Sequence, residues 1–208
     1  MISSVFKKFN PTGTNKQGSN SGVAELKIIQ IETCDDDSKL VLTSAAQPVE
    51  LPLSPEDCQT LSSMEQLLYR LGGVGLAAPQ VRIPRRMAVI YVSKEVAAAR
   101  GAEPVAMYAV INPEYEGVGE EKEAGIESCY SVCSFHGAVP RFASIRLRYQ
   151  TPDSQLMDKQ VDGFHARVLQ HEIDHLDGVL ILDHLKAGSG DRRPNPLNPT
   201  PQELLAPL

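Results

Sequence analysis

The chain has 208 residues, of which 42% are hydrophobic and 22% charged, with a formal net charge of −6. At roughly 150 residues per domain this is one domain with room for tails, and the ordinary apolar and charged content excludes a wholly disordered, collagen-like or coiled-coil chain. The acidic balance gives no field for a polyanion, and stretches such as 87–92 fall well short of the roughly 20 apolar residues that span a bilayer, so neither direct nucleic-acid binding nor a membrane partner is expected.

In chain order, the segment 1–22 carries Lys7, Lys8 and Lys16 with no acidic residue and no apolar block. It reads as a disordered leader, and the protein is expected in the cytoplasm, or in an organelle if the leader is a transit peptide. Residues 27–31 read as a short strand. Ser54-Pro55-Glu56-Asp57 reads as a helix start, and Leu61, Met64, Leu68 and Leu71 then recur at helical spacing until Gly72-Gly73. Strands are predicted at 87–92, 107–112 and 144–150, the last with Ile145, Leu147 and Tyr149 alternating against polar neighbours. Between the first two, 94–100 predicts a short helix ended by Gly101. A firm helix runs from Asp162-Gly163 to Asp177-Gly178, with Asp162 as cap and Phe164, Val168, Leu169 and Ile173 facing inward. The Pro-rich segment 187–208 reads as a flexible tail, which leaves 23–186 as the folded domain. Strands followed by a helix packed on them predict an α+β fold, with mixed or antiparallel sheets around a central helix. Cys34, Cys58, Cys129 and Cys133 are too few for a disulfide framework and read as reduced thiols.

The chemistry concentrates on that last helix, in His171-Glu172-Ile173-Asp174-His175. Histidines four apart share one helical face, so both imidazoles can converge on a metal with Glu172 beside them as a base. A catalytic metal centre usually takes three protein ligands. The extended pattern H-E-x-x-H-x-x-G-x-x-H fails, because position 181 is Ile181 and His184 comes three residues late, and the only later glutamate is Glu203 in the Pro-rich tail. The third ligand therefore lies upstream, with Cys129, Cys133, His136 and His165 as candidates that spacing does not separate.

Three segments carry a resemblance. Gly73-Val-Gly-Leu-Ala-Ala-Pro-Gln80, Glu127-Ser-Cys-Tyr-Ser131 and Gln170-His-Glu-Ile-Asp-His-Leu-Asp-Gly178 resemble the ordered motifs G-x-G-L-A-A-x-Q, E-G-C-L-S and Q-H-E-x-D-H-L-x-G of peptide deformylases, over about residues 26–186. The chain departs at Ser128, usually glycine, at Tyr130, usually leucine in bacterial members, and at His136, where many carry arginine. The region 131–142 is similar to the divergent branch that includes organellar members.

The resemblance implies a metal-dependent hydrolase that removes the N-formyl group from the initiator methionine of nascent polypeptides and releases formate. It implies Cys129, His171 and His175 as ligands of one divalent ion, iron(II) in the native enzyme, with zinc, nickel or cobalt as alternatives. It implies Glu172 as the base, and Gln80 with the backbone N–H of Tyr130 as oxyanion donors. The substrate is expected to lie extended along Gly73, Gly75 and Leu76, in transient proximity to the ribosome. Arg141 and Asp174 match a structural pair behind the site, and His136 is expected at its rim. The alternative reading is a deformylase-like protein that binds formyl-peptides with little or no turnover.

Overall fold

The computed structural model describes residues 25–186, so the expected leader (1–22) and tail (187–208) lie outside the described residues. Helix α1 (Asp36–Leu42) is capped by the Asp35 side chain, which accepts from the Ser38 N–H. Helix α2 (Pro55–Leu71) starts as its sequence predicts: Ser54 Oγ accepts from the Asp57 N–H at 3.0 Å, and Pro55 occupies the first turn. It ends at Gly72, whose φ of 63° turns the chain out of the helix.

The remaining elements, in order, are β1 (Gly75–Ala77), a single 3-10 turn (Ala78–Val81), β2 (Met87–Val92), α3 (Lys94–Arg100), β3 (Val105–Gly117), β4 (Lys122–Cys129), β5 (Val132–Phe142), β6 (Ser144–Gln150), β7 (Leu156–Asp162), α4 (Gly163–Leu176) and α5 (Ile181–Lys186). Five strands form one antiparallel sheet in the order β1-β2-β3-β6-β7, and β4 pairs only with β5 in a separate ribbon. The fold is α+β, with antiparallel sheets throughout. No helix among the described residues is long and apolar enough to cross a membrane.

The unbroken apolar run of β2 follows from burial on both faces. Met87 and Val89 face α2 and pack with Leu61, Met64 and Leu68, whereas Ala88 and Ile90 face α4 and pack with Leu169, Ile173 and Leu176. Full burial of each large side chain here, such as Leu169 or Ile173, contributes about 1.5–3 kcal/mol. Strands β6 and β7 close the α4 side with Ile145, Leu147 and Val161, so the helix that carries the His-Glu-x-x-His motif is held by the apolar face opposite its polar one.

Several elements differ from expectation. Residues 27–31 form no strand: Ile29 N–H donates to Gln80 O at 2.8 Å and Ile31 N–H to Ser131 O at 2.9 Å, so this extended segment pairs with turns rather than a ladder. Strand β3 is longer than 107–112, and β1, the β4–β5 ribbon, β7, α1 and α5 have no counterpart in the predicted elements. The ribbon lacks clean alternation because one side packs on polar groups of the site. Asp162 precedes α4 without capping it; its Oδ1 accepts instead from Ser144 Oγ and from Gln160 Nε2.

The end of α4 shows why the last motif closes on glycine. Gly178 has φ 75°, Gly178 N–H donates to His175 O and Val179 N–H to Asp174 O, and a Cβ at 178 would stand 2.7 Å from the backbone of Thr43 and Ser44. Gly101, which ends α3, has φ 61° but open space around its Cα. Gly101→Ala should therefore cost only the left-handed strain, about 1–2 kcal/mol, and Gly178→Ala should cost clearly more. Urea unfolding of the two variants checks this, and equal losses would mean that the contact of α4 with 43–44 yields freely.

Candidate metal centre

Alternation along β4 turns Glu127 and Cys129 to the buried side and Ser128 to solvent. Helical spacing on α4 brings His171 and His175 to the same place. The ligating atoms of Cys129, His171 and His175 all lie within 4.8 Å of one another, with Cys129 Sγ 3.1 Å from His175 Nε2. The other sequence candidates lie elsewhere. Cys133 Sγ turns to Tyr130 O at 3.5 Å, and His136 sits on β5 across from Ser128 with its Nδ1 buried and unpartnered. His165 Nε2 lies 2.8 Å from Tyr108 Oη, and burial, then Lys159, pushes its pKa down to about 4.

Glu127, not singled out as a functional residue by its sequence, organises the centre from behind. Arg141 grips it with two bonds of 3.0 Å, Arg167 Nη1 donates to it at 2.9 Å, and His171 Nδ1 lies 3.0 Å from its Oε2. Burial opposes its charge, but the hydrogen bonds from His171 and Arg141 hold it ionised, far below the usual carboxylate range. An ionised carboxylate only accepts, so His171 Nδ1 carries the proton and Nε2 keeps its lone pair for an ion. Arg141 also pairs with Asp174, which lies 2.7 Å from His184 Nε2 on α5. Two sequence signals point to this shell: Glu127 is two residues before Cys129 on a strand, and Arg167 is four before His171 on a helix.

Glu172 is almost fully buried, with Oε2 lacking any hydrogen-bond partner. Burial raises its pKa to about 7; His171 pulls it down and Glu127 pushes it up. Its carboxylate lies against Gly75, where a Cβ would overlap Oε1 and stand 2.7 Å from Cδ. Gln80, buried in the 3-10 turn, is aligned by the Ala77 N–H, which donates to its Oε1 at 2.8 Å. That leaves Gln80 Nε2 facing Cys129 Sγ at 3.7 Å and Ser131 Oγ at 3.5 Å, both long contacts. The Leu76 side chain is fully buried in the α2 core.

The donor set fits a divalent ion. A thiol and two imidazoles converge in a buried place, and this combination suits zinc, iron, cobalt or nickel. Burial and the neighbouring His171 hold His175 well below its usual pKa, in the neutral form that ligates, and its Nδ1 is buried without a partner. A water held beside such an ion would find the Glu172 carboxylate at hand as a base.

Comparison with known proteins points the same way. The sequence model of the polypeptide deformylase family matches residues 28–190. Peptide deformylase 3 of Streptomyces avermitilis is 38% identical over 154 residues, 72% of this chain and 69% of that protein. The peptide deformylase of Roseiflexus sp. is 34% identical over 166 residues, 77% of this chain and 88% of that protein. Among solved structures, peptide deformylase from Thermotoga maritima superposes with a TM-score of 0.63 at 34% identity, covering 76% of this chain and 96% of that one. The Met-Ala-Ser-bound class I type b peptide deformylase from Acinetobacter baumannii gives a TM-score of 0.67 at 28% identity, covering 76% and 97%.

Metal content tests the ligand set directly. After loading with zinc and dialysis, Cys129→Ala should lose the ion, whereas Cys133→Ala and His136→Ala should retain it at the wild-type ratio. Equal loss from Cys129→Ala and Cys133→Ala would show that the geometric cluster is not the binding site.

Proposed function

The chain belongs to the peptide deformylase family and removes the N-formyl group from nascent polypeptides, and we propose that Cys129, His171 and His175 hold the divalent ion for this reaction while Glu172 serves as its base. The observation that carries this division of labour is the convergence of three donor atoms beside a buried carboxylate whose Oε2 has no hydrogen-bond partner. We take iron(II) as the native ion, with zinc, nickel and cobalt as substitutes, because one soft thiolate and two imidazoles accept all four. The ion supplies Lewis acidity, lowering the pKa of a coordinated water and polarising the carbonyl to be attacked.

The remaining work falls to the chain's own groups. Glu172 takes a proton from the attacking water and returns it to the departing amine as the C–N bond breaks, leaving formate and a free amino terminus. The raised pKa of Glu172, about 7, suits a group that must both accept and donate near neutral pH. Negative charge develops on the formyl oxygen, and Gln80 Nε2 and the backbone N–H of Tyr130 are the donors for it. The long contacts of Gln80 Nε2 to sulfur and hydroxyl support this role, since a charged oxygen is the stronger acceptor and displaces them readily.

The peptide is held by the edge of β1. Among the described residues this strand pairs only with β2, and the bond from Tyr91 N–H to Val74 O, continued by the Gly75↔Ile90 register, turns the Gly75 N–H and C=O away from β2. An extended substrate can therefore add along Gly73, Gly75 and Leu76 as a further strand, bonding at Gly75, since the Leu76 N–H and C=O turn to β2 opposite Val89. The reaction takes place in transient proximity to the ribosome in a reducing cytoplasm, consistent with four free cysteines. A formyl-peptide binder without turnover would have no use for a buried carboxylate with one oxygen left unpartnered, and that reading is not favoured.

Glu172→Ala should keep its metal and lose about 10²- to 10⁴-fold in formate release from a formyl-Met peptide. Both quantities are read on one preparation, and loss of the metal would make Glu172 a ligand instead. Gly75→Ala, whose Cβ must push the carboxylate aside, should also retain metal while losing on the order of 10²-fold in rate through misplacement of the base. A Gly75→Ala enzyme at wild-type rate would show that Glu172 acts from another position.

A further inference from the structure

The turn between β4 and β5 carries a side chain that the chemistry above leaves unused. Tyr130 Oη donates to the Leu71 carbonyl at 3.1 Å, at the last residue of α2. The half-buried ring lies over Gly73, where a Cβ would stand 2.7 Å from Oη and 2.8 Å from Cε2. The phenol thus spans from the turn that follows Cys129 to the connection between α2 and β1, joining the two walls that flank the peptide-binding edge.

That turn needs holding. Among the described residues the β4–β5 ribbon pairs with no other strand, and a two-stranded ribbon is marginally stable by itself. Tyr130 and Ser131 are the two turn residues at its tip. Ser131 is tied on one flank, where its carbonyl accepts from Ile31 N–H at 2.9 Å and its Oγ meets Gln80 Nε2. Tyr130 is tied on the other flank through Leu71. An amide in a two-residue turn swings with small changes in φ and ψ, yet an oxyanion donor must sit about 2.7–3.1 Å from the oxygen it stabilises.

We propose that the Tyr130 side chain is a strut that positions its own backbone N–H relative to the β1 edge, so that the residue acts in the reaction through its main chain and sets that main chain through its hydroxyl. The inference rests on the reading of the Tyr130 N–H as an oxyanion donor. A ring that merely fills the space over Gly73 predicts no effect of removing the hydroxyl alone, and this is what separates the two.

The test is Tyr130→Phe, with Tyr130→Leu as the variant that removes the ring as well. For formate release from formyl-Met-Ala-Ser, Tyr130→Phe should lower kcat about three- to tenfold, the usual weight of one hydrogen bond, with KM within about twofold and metal content unchanged. Tyr130→Leu should fall at least as far. Without any peptide, amide hydrogen exchange over residues 72–76 and 130–131 should quicken in Tyr130→Phe. Unchanged kcat in Tyr130→Phe overturns the strut, even where exchange quickens, since the bond then only fastens the fold. A raised KM at unchanged kcat overturns it too, because the hydroxyl then serves peptide affinity. A wild-type enzyme that releases no formate would sink the reading of the site itself, whereas exchange over 72–76 and 130–131 that does not quicken in Tyr130→Phe would overturn the strut whatever the site does.

Discussion

Glu127 is buried on β4 and accepts hydrogen bonds from Arg141 on β5 and from Arg167 and His171 on α4, so three elements meet on one carboxylate. A buried charge of this kind is tolerated only when it is paired and fully hydrogen-bonded. Removing it would leave the guanidinium of Arg141, which is itself nearly inaccessible, with Asp174 alone to balance it, at a cost of several kcal/mol. The same carboxylate fixes the tautomer of His171, and thereby decides which imidazole nitrogen faces Cys129 and His175. The ribbon that carries the cysteine and the helix that carries the histidines are thus registered by an electrostatic constraint rather than by a shared sheet.

Around that constraint the centre is built by leaving side chains out. Glu172 occupies the space where a Cβ at Gly75 would be, Tyr130 the space over Gly73, and the Arg167 guanidinium the space beside Gly125. Close packing leaves no slack for both partners, so a glycine on a strand is the condition for a large polar group across from it. The β1 edge, Glu172 and the shell around Glu127 are consequently coupled through van der Waals contact as well as through charge. The apolar sides of α2 and α4 grip the five-stranded sheet from its two faces, which keeps these contacts in register.

Much of this was legible in the sequence. Helices α2, α3 and α4 and strands β2 and β6 show themselves through caps, terminating glycines and apolar period, because each of those signals is local. The convergence of His171 and His175 on one helical face beside Glu172 was equally visible, since a four-residue spacing on a helix is a statement about one face. The ribbon β4–β5 was not visible, because the charged Glu127 and Arg141 stand among its inward residues and break the apolar alternation that a strand search relies on. Segment 27–31 was misleading for the opposite reason: its apolar residues suggest a strand, yet its N–H groups go to Gln80 and Ser131 in turns.

By itself, then, the sequence determined which helix bears the paired histidines and which residue types could join them, and the order of its three motifs pointed to the family. Cys129, Cys133, His136 and His165 remained equivalent by spacing alone, and neither Glu127 nor the contact of Tyr130 with Leu71 could be read from it. Those were decided by the tertiary structure, because they depend on how a ribbon ending at residue 142 is laid against a helix starting at residue 163. Local periodicity determines which way a side chain points from its own element, but the distance between elements is set by packing and by the pairing of buried charge.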